Sequence, residues 1–121
     1  MFVREELAKP FRILEDNRVY SMDRLLDIAK WPEARAITFY TIIDPDVDTA
    51  ITVKVVGNDV PDPGGGIVNL GDGQISTPNK YNKLVFSINI ASAPFPFYGV
   101  TFTAGPAPSK GLCSAFADIW W

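Results

Sequence analysis

Three carboxylates stand on alternate positions in Ile43-Asp44-Pro45-Asp46-Val47-Asp48-Thr49, in a chain of 121 residues that contains no histidine. Alternating aspartates open the calcium loop of an EF-hand. That loop also needs glycine at its sixth position and a bidentate glutamate at its twelfth, and here Thr49 and Val55 occupy those places. A looser oxygen site for calcium stays open, with Asp44, Asp46 and Asp48 as ligands and Asp59 or Asp62 from the next loop completing it. The preferred reading is a polar turn between two core strands, in which Pro45 sets φ and the carboxylates stay in water.

Other chemistry has less to work with. Without histidine there is no Ser-His or Cys-His pair, so a serine or cysteine nucleophile would need an unusual base. Cys113 is the lone cysteine, which excludes an internal disulfide and a cysteine-paired zinc site, and its apolar surroundings read as a small buried hydrophobe. A glycosidase needs two carboxyl groups held at a set separation beside a cleft, and no spacing here fixes such a pair. Asp118, inside Ala-Phe-Ala-Asp-Ile-Trp-Trp, reads either as partly buried or as the solvent face of a strand. Gly64-Gly65-Gly66 is followed by Ile67-Val-Asn rather than Lys-Ser/Thr and a helix, so it is a loop and not a phosphate cradle. No catalytic residue, cofactor or small-molecule ligand is expected.

The elements around these residues are mostly strands. In Ala36-Ile-Thr-Phe-Tyr-Thr-Ile-Ile43 the residues Ile37, Phe39, Thr41 and Ile43 share one face, because side chains alternate along a strand. The same alternation puts Ile51, Val53 and Val55 inward, then Leu84, Phe86, Ile88 and Ile90, then Tyr98, Val100, Phe102 and Ala104. Leu112 to Trp121 is a last apolar segment. Gly71-Asp72-Gly73, between Gly66–Leu70 and Gln74–Thr77, has the small residues of a tight hairpin turn. Phe11-Arg-Ile-Leu-Glu15 reads as an edge strand. Ser21 to Lys30, with a Ser cap, an early Asp and a final Lys, reads as one short helix ended by Trp31-Pro32. The fold class expected is mainly β: an antiparallel sandwich, jelly-roll or immunoglobulin-like, built from residues 35–121, with residues 1–34 as an N-terminal arm and short helix packed on that core or extending from it.

Composition narrows the partners. Hydrophobic residues make up 47% of the chain and charged residues 21%, as in a chain that buries a core. Residues 1–35 balance seven Lys or Arg against seven Asp or Glu, and residues 36–121 hold four against seven, giving the net charge of −3. The basic residues are scattered, so nucleic acid is not an expected partner. No run approaches the ~20 apolar residues of a membrane span, and Met-Phe-Val-Arg-Glu-Glu lacks the order of a secretion signal, so the chain is read as soluble. The aromatic residues carry the rest of the signal. Phe95, Phe97 and Tyr98 surround two prolines, and Trp120 and Trp121 close the sequence. Apolar groups of that size either fold back on the core or meet a partner, and Phe2, Val3, Phe11, Phe95, Trp120 and Trp121 are the candidate interface.

A balanced N-terminal arm, no histidine, no cysteine pair, proline-rich loops and an aromatic end together resemble the small structural proteins of tailed-phage particles, the capsid decoration or cement proteins and tail components. The resemblance implies a non-enzymatic oligomer that adds buried interface to a shell. Its partners would be copies of itself and other virion proteins, and its place the virion, assembled in the host cytoplasm. A second reading is a carbohydrate-binding or adhesin-like sandwich, calcium-dependent through the aspartate loop, with Trp31, Tyr98 or Trp120 as a solvent-facing platform for sugar rings.

Overall fold

A computed structural model describes residues 1–22, 25–62, 68–75 and 83–121, and for residues 72–75 the backbone only. Two antiparallel sheets face each other. Their strands are β1 (Phe2–Phe11), β2 (Tyr20–Ser21), β3 (Leu26–Asp27), β4 (Ala36–Ile43), β5 (Ile51–Asn58), β6 (Val68–Ile75), β7 (Lys83–Asn89), β8 (Phe97–Ala104) and β9 (Cys113–Trp120). The first sheet has the order β1-β9-β4-β7; the second has β2-β8-β5-β6, with β3 also on β8. Apart from β2–β3 and β5–β6, each strand lies in the opposite sheet from the next one in sequence. That wrapping is the jelly roll, one of the two sandwich topologies expected.

The period-two pattern is what makes the two layers adhere. Ile37, Phe39, Thr41 and Ile43 on β4, Ile51, Val53 and Val55 on β5, and Tyr98, Val100, Phe102 and Ala104 on β8 are all buried, as the alternation requires. On β9 the buried set is Cys113, Ala115, Ala117 and Ile119. Three of these four side chains are small, which leaves room for the larger Phe39, Phe102 and Tyr98 in the same core. Each large buried side chain contributes about 1.5–3 kcal/mol by leaving water. On β7 the pattern holds but burial is incomplete: Leu84, Phe86 and Ile88 face inward and are only half-buried.

Three local expectations are corrected. The helix over Ser21–Lys30 is replaced by β2, β3 and a single 3₁₀ turn, Ile28–Lys30; Asp23 and Arg24 lie outside the described residues. Tyr20 and Ser21 pair with Phe102 and Thr101, and Leu26 and Asp27 pair with Tyr98 and Phe97. The free side of β8 thus uses this segment as an edge, burying Met22, Leu25 and Leu26, and tertiary pairing overrides the local helical preference. The cap sits on Asp27, whose Oδ1 accepts from the Ala29 N–H at 3.0 Å, rather than on Ser21.

The hairpin turn expected at Gly71-Asp72-Gly73 is instead the middle of β6, which pairs with β5 from Ile75 back to Val68. A bulge opposite Val55 and Val56 takes up one extra residue, and the Asn69 side chain accepts from the Gly71 N–H at 3.1 Å. Gly71 is needed for close approach, because the tip of the Phe86 ring occupies the space a Cβ would take. Finally, the edge strand expected at Phe11–Glu15 lies earlier, at Phe2–Phe11. Pro10 within it is compatible with an edge, where no neighbour on one side asks for its missing N–H. The Gly64–Gly66 loop lies outside the described residues.

Gly111 closes the β8–β9 connection with φ +94°, and a Cβ there would strike both the side chain and the backbone of Val47. Gly111→Ala is therefore expected to lower stability by at least about 1 kcal/mol, read as a reduced urea midpoint with unchanged m-value.

Candidate interaction face

The exposed side of the β1-β9-β4-β7 sheet follows from its registers. Reading across the strands, one row is Phe2, Trp120, Ala36 and Asn89; the next is Arg4, Asp118, Thr38 and Ser87; the third is Glu6, Phe116, Tyr40 and Val85. Ser114, Ile42 and Lys83 begin a fourth. A solvated face would be expected to carry small polar groups at these outward positions. Asn89, Thr38, Ser87 and Ser114 fit that expectation, but the same face also carries four aromatic rings, Phe2 and Trp120 exposed and Tyr40 and Phe116 half-buried, with the exposed Val85 and Ile42 beside them.

The rings are arranged in pairs. Phe2 packs on Trp120 with centroids 4.6 Å apart, and the Trp120 indole N–H donates to Thr38 Oγ1 at 3.1 Å. Thr38 Oγ1 is also 3.1 Å from Ser87 Oγ, so the first two rows are linked across three strands. Tyr40 and Phe116 stack at 4.7 Å, nearly parallel. The Arg4 guanidinium lies 4.4 Å from the Phe116 centroid, and Lys83 Nζ lies 4.9 Å from that of Tyr40. The order Arg4, Phe116, Tyr40, Lys83 thus forms one stack across four strands, in which the cations cap the ring faces and hold the rings in place.

Arg4 has a second partner. Its Nε donates to Asp118 Oδ1 at 2.8 Å and its Nη2 to Asp118 Oδ2 at 3.0 Å, a two-pronged pair. Asp118 is 2% exposed although it faces outward, while the Arg4 side chain keeps 56% of its surface. The hydrogen bonds to Asp118 raise the guanidinium's pKa above its ordinary value. Both readings of Asp118 made from the sequence meet here: it is on the outer face and it is buried, because Arg4 lies over it.

The six candidate interface residues divide. Phe2 and Trp120 join the ring pairs just described. Trp121 is partly exposed, and its main chain exchanges hydrogen bonds with that of Met1, the Trp121 N–H donating at 3.1 Å and the Met1 amino group at 3.3 Å. Val3 is half-buried against the core. Phe11 packs edge-on against Phe102 at 5.2 Å and lies 5.8 Å from Tyr20. Phe95 meets Tyr98 edge-on at 6.3 Å, where Tyr98 is fully buried and donates its hydroxyl proton to Ala93 O at 2.6 Å. Tyr98 is therefore no part of a solvent-facing platform. Tyr40, Phe116, Arg4 and Val85 were missed, although their signal was present: they occupy the polar phase of strands whose other phase is core.

The aspartate loop ties two turns together. Asp44 Oδ2 accepts from the Leu112 N–H at 3.0 Å, and the Asp44 N–H donates to Leu112 O at 2.9 Å. Asp48 Oδ1 accepts from the Ser109 N–H at 2.9 Å, and Asp48 Oδ2 from the Ser109 hydroxyl. Asp46 is exposed. The bond from the Ser109 hydroxyl, then that from its N–H, lowers the Asp48 pKa below the ordinary carboxylate value. Among the described residues no three His, Cys, Asp or Glu side chains converge as a metal ion would require. Cys113 is buried, and desolvation, followed by the charge of Asp44, pushes its thiol up to about 12, so the reactive thiolate is suppressed.

Concave surface lies elsewhere. Two clefts, of about 360 and 460 Å³, run between β1 and the β2–β3 segment. Glu5, Glu6 and Asp27 line the first, and none of them is buried. A shallower hollow of about 200 Å³ lies between Trp31 and Trp121, with Lys30, Pro32 and Glu33.

No protein-family model matches the chain, and no curated protein matches it in sequence. Solved structures do match in shape. The PBSX exported protein XepA superposes with a TM-score of 0.64 at 10% identity over 98% of this chain and 37% of that one, so the chain spans little more than a third of XepA. A chain of tomato aspermy virus gives 0.58 at 11% identity, over 98% and 75% of the two chains. A chain of Bacillus endospore appendages, described as disulfide-linked pili, gives 0.55 at 11% identity, over 99% and 89%. The likeness is one of fold.

Two outcomes follow from the site. Arg4→Met strands a carboxylate that water scarcely reaches, whereas Asp118→Asn leaves an exposed guanidinium that water can solvate. Melting temperatures should therefore fall further for Arg4→Met than for Asp118→Asn, and equal losses would contradict the asymmetry. For Asp48, a folded-state pKa below the unfolded value stabilises the protein above the unfolded pKa, and that contribution is lost as pH falls through the folded value. The stability gap between wild type and Asp48→Asn should be constant above about pH 5 and close at lower pH, as urea titrations would show.

Proposed function

We propose that this chain is a non-enzymatic structural subunit of a virion, a capsid decoration or tail-associated protein that acts through protein–protein interfaces. The observation that carries this reading is the outer face of the β1-β9-β4-β7 sheet. Four aromatic rings, Val85 and Ile42 stand where a solvated sheet carries polar groups, held in place by Arg4, Lys83 and the Trp120–Thr38 bond. Aromatic residues with an arginine among them are the usual centre of a contact between proteins. The fold supports the reading as well, since chains of a plant virus and of a bacterial surface appendage adopt it.

A carbohydrate-binding module is the second reading, and the hollow between Trp31 and Trp121 favours it. Asp44 and Asp48 are engaged with the 109–112 turn, so a calcium-dependent form of that reading draws no support from the loop.

Particles sedimented from the native source and quantified by mass spectrometry should contain the chain in many copies. Phe2→Ser with Trp120→Ser should lower incorporation at least tenfold without loss of the folded state. A chain found only in the unsedimented fraction, or incorporation untouched by the double variant, would exclude the proposal.

A further inference from the structure

The two edges of the four-stranded sheet differ in kind. An exposed edge offers unpaired N–H and C=O groups to any other strand, and proteins that must stay separate guard it with charges, proline and irregular pairing. β1 has all three: Arg4, Glu5, Glu6 and Lys9, then Pro10, and breaks in its register against β9 between Glu6 and Ala8 and between Ala8 and Phe11. β7, Lys83-Leu-Val-Phe-Ser-Ile-Asn89, has one charge, at its end, no proline, and an unbroken register against β4. Among the described residues no strand pairs with its outer edge.

The apolar groups of β7 are also unfinished on both sides. Val85, on the outer face, is 49% exposed. Leu84, Phe86 and Ile88, on the inner face, are only half-buried, whereas the inner residues of β4 and β9 are almost fully enclosed. An edge that lacks guards and leaves apolar surface uncovered on two faces calls for a neighbouring strand.

Geometry then restricts the register. The Ile90 N–H donates to Arg35 O at 2.9 Å, so the main chain of Ile90 turns toward β4. By antiparallel alternation Leu84, Phe86 and Ile88 do the same, and Lys83, Val85, Ser87 and Asn89 turn their N–H and C=O groups outward. Only outward residues can bond across a new interface. The fullest antiparallel overlap of β7 with another β7 centres on Phe86, opposing Lys83 to Asn89 and Val85 to Ser87 as bonded pairs, with Leu84 opposite Ile88 and Phe86 opposite Phe86 between them. No like charges meet in that register, and the inner side chains of each copy cover those of the other.

We infer that the partner of β7 is the β7 strand of a second copy of this chain, the two pairing antiparallel about Phe86 to make one continuous eight-stranded sheet. This is a self-complementary two-fold contact, in which the same residues serve both sides. Its mode is strand addition, with main-chain hydrogen bonds at the seam and apolar packing on both faces. The inference rests on the assembly reading above only in taking the chain to work through its surfaces, and it names one partner for one edge.

Sedimentation velocity over a concentration series tests it on the full chain. Wild type should sediment at twice the monomer mass. Ser87→Pro removes an N–H that no strand among the described residues uses, and Val85→Lys places charges beside the two-fold axis at a position already half in water, so both should sediment as folded monomers with wild-type circular dichroism. A Val85→Cys, Ser87→Cys double variant should form covalent dimers under mild oxidation, while the buried Cys113 stays silent. A wild type that is monomeric throughout the series, or a dimer that survives in both single variants, overturns the inference. Because particle incorporation is measured separately, a monomer that still enters particles would sink the β7 contact alone. A β7 dimer absent from particles would sink only the assembly reading.

Discussion

The arrangement depends on β9 having a strand on each side. It pairs with β1 from Phe2 to Phe11 and with β4 from Ala36 to Ile43, so the last strand of the chain completes a sheet that the first strand begins. Its inner residues, Cys113, Ala115, Ala117 and Ile119, must be mostly small because Phe39, Phe102 and Tyr98 share the same core. Its outer residues, Phe116, Asp118 and Trp120, are free to be large or charged. Without β9 neither β1 nor the outer face exists, since Arg4 has its carboxylate, and Phe2 its indole, on that strand. Contacts of such sequence separation form late and slowly, which ties the function proposed for the face to completion of the whole sandwich.

The loops at one end serve the same sheet. Asp44 and Asp48 follow β4, and Ser109 and Leu112 precede β9, so their hydrogen bonds join the connections that lead out of one central strand and into the other. Gly111 is fixed in a positive-φ conformation against Val47 between them. The three alternating carboxylates that drew attention as possible ligands are thus used unequally: two accept main-chain hydrogen bonds from the neighbouring turn, and Asp46 lies in water. A carboxylate that accepts two hydrogen bonds from a turn orders the chain without doing chemistry.

The same logic explains why a face rather than a pocket carries the functional reading. The clefts along β1 are lined by carboxylates that water reaches, and Cys113, the sole thiol, is enclosed and kept protonated. The outer face, by contrast, has its rings held by neighbours. Arg4 lies on Phe116 and grips Asp118, and Trp120 is fixed by Thr38 and Phe2. Rings held in this way lose little conformational freedom when a partner covers them, which favours association.

The strands β4, β5, β7 and β8, their inward residues and the two-layer architecture were legible from alternation, because an apolar residue at every second position has one stable use in a chain of this size, whereas β9 was legible only as an apolar segment, without its inward set. The absence of histidine and of a cysteine pair was equally plain in the residues. Pairing decided the rest. Ser21–Lys30 has the caps of a helix, yet β8 offered an unpaired edge, and Gly71–Gly73 has the composition of a turn, yet it pairs with β5 and the Phe86 ring takes the space a Cβ at Gly71 would fill. Asp118 stayed open between partial burial and the solvent face of a strand, since only the fold brings Arg4 across to it. The rows of the outer face have the same origin: alternation says which residues point outward, but strand order and register decide which of them touch.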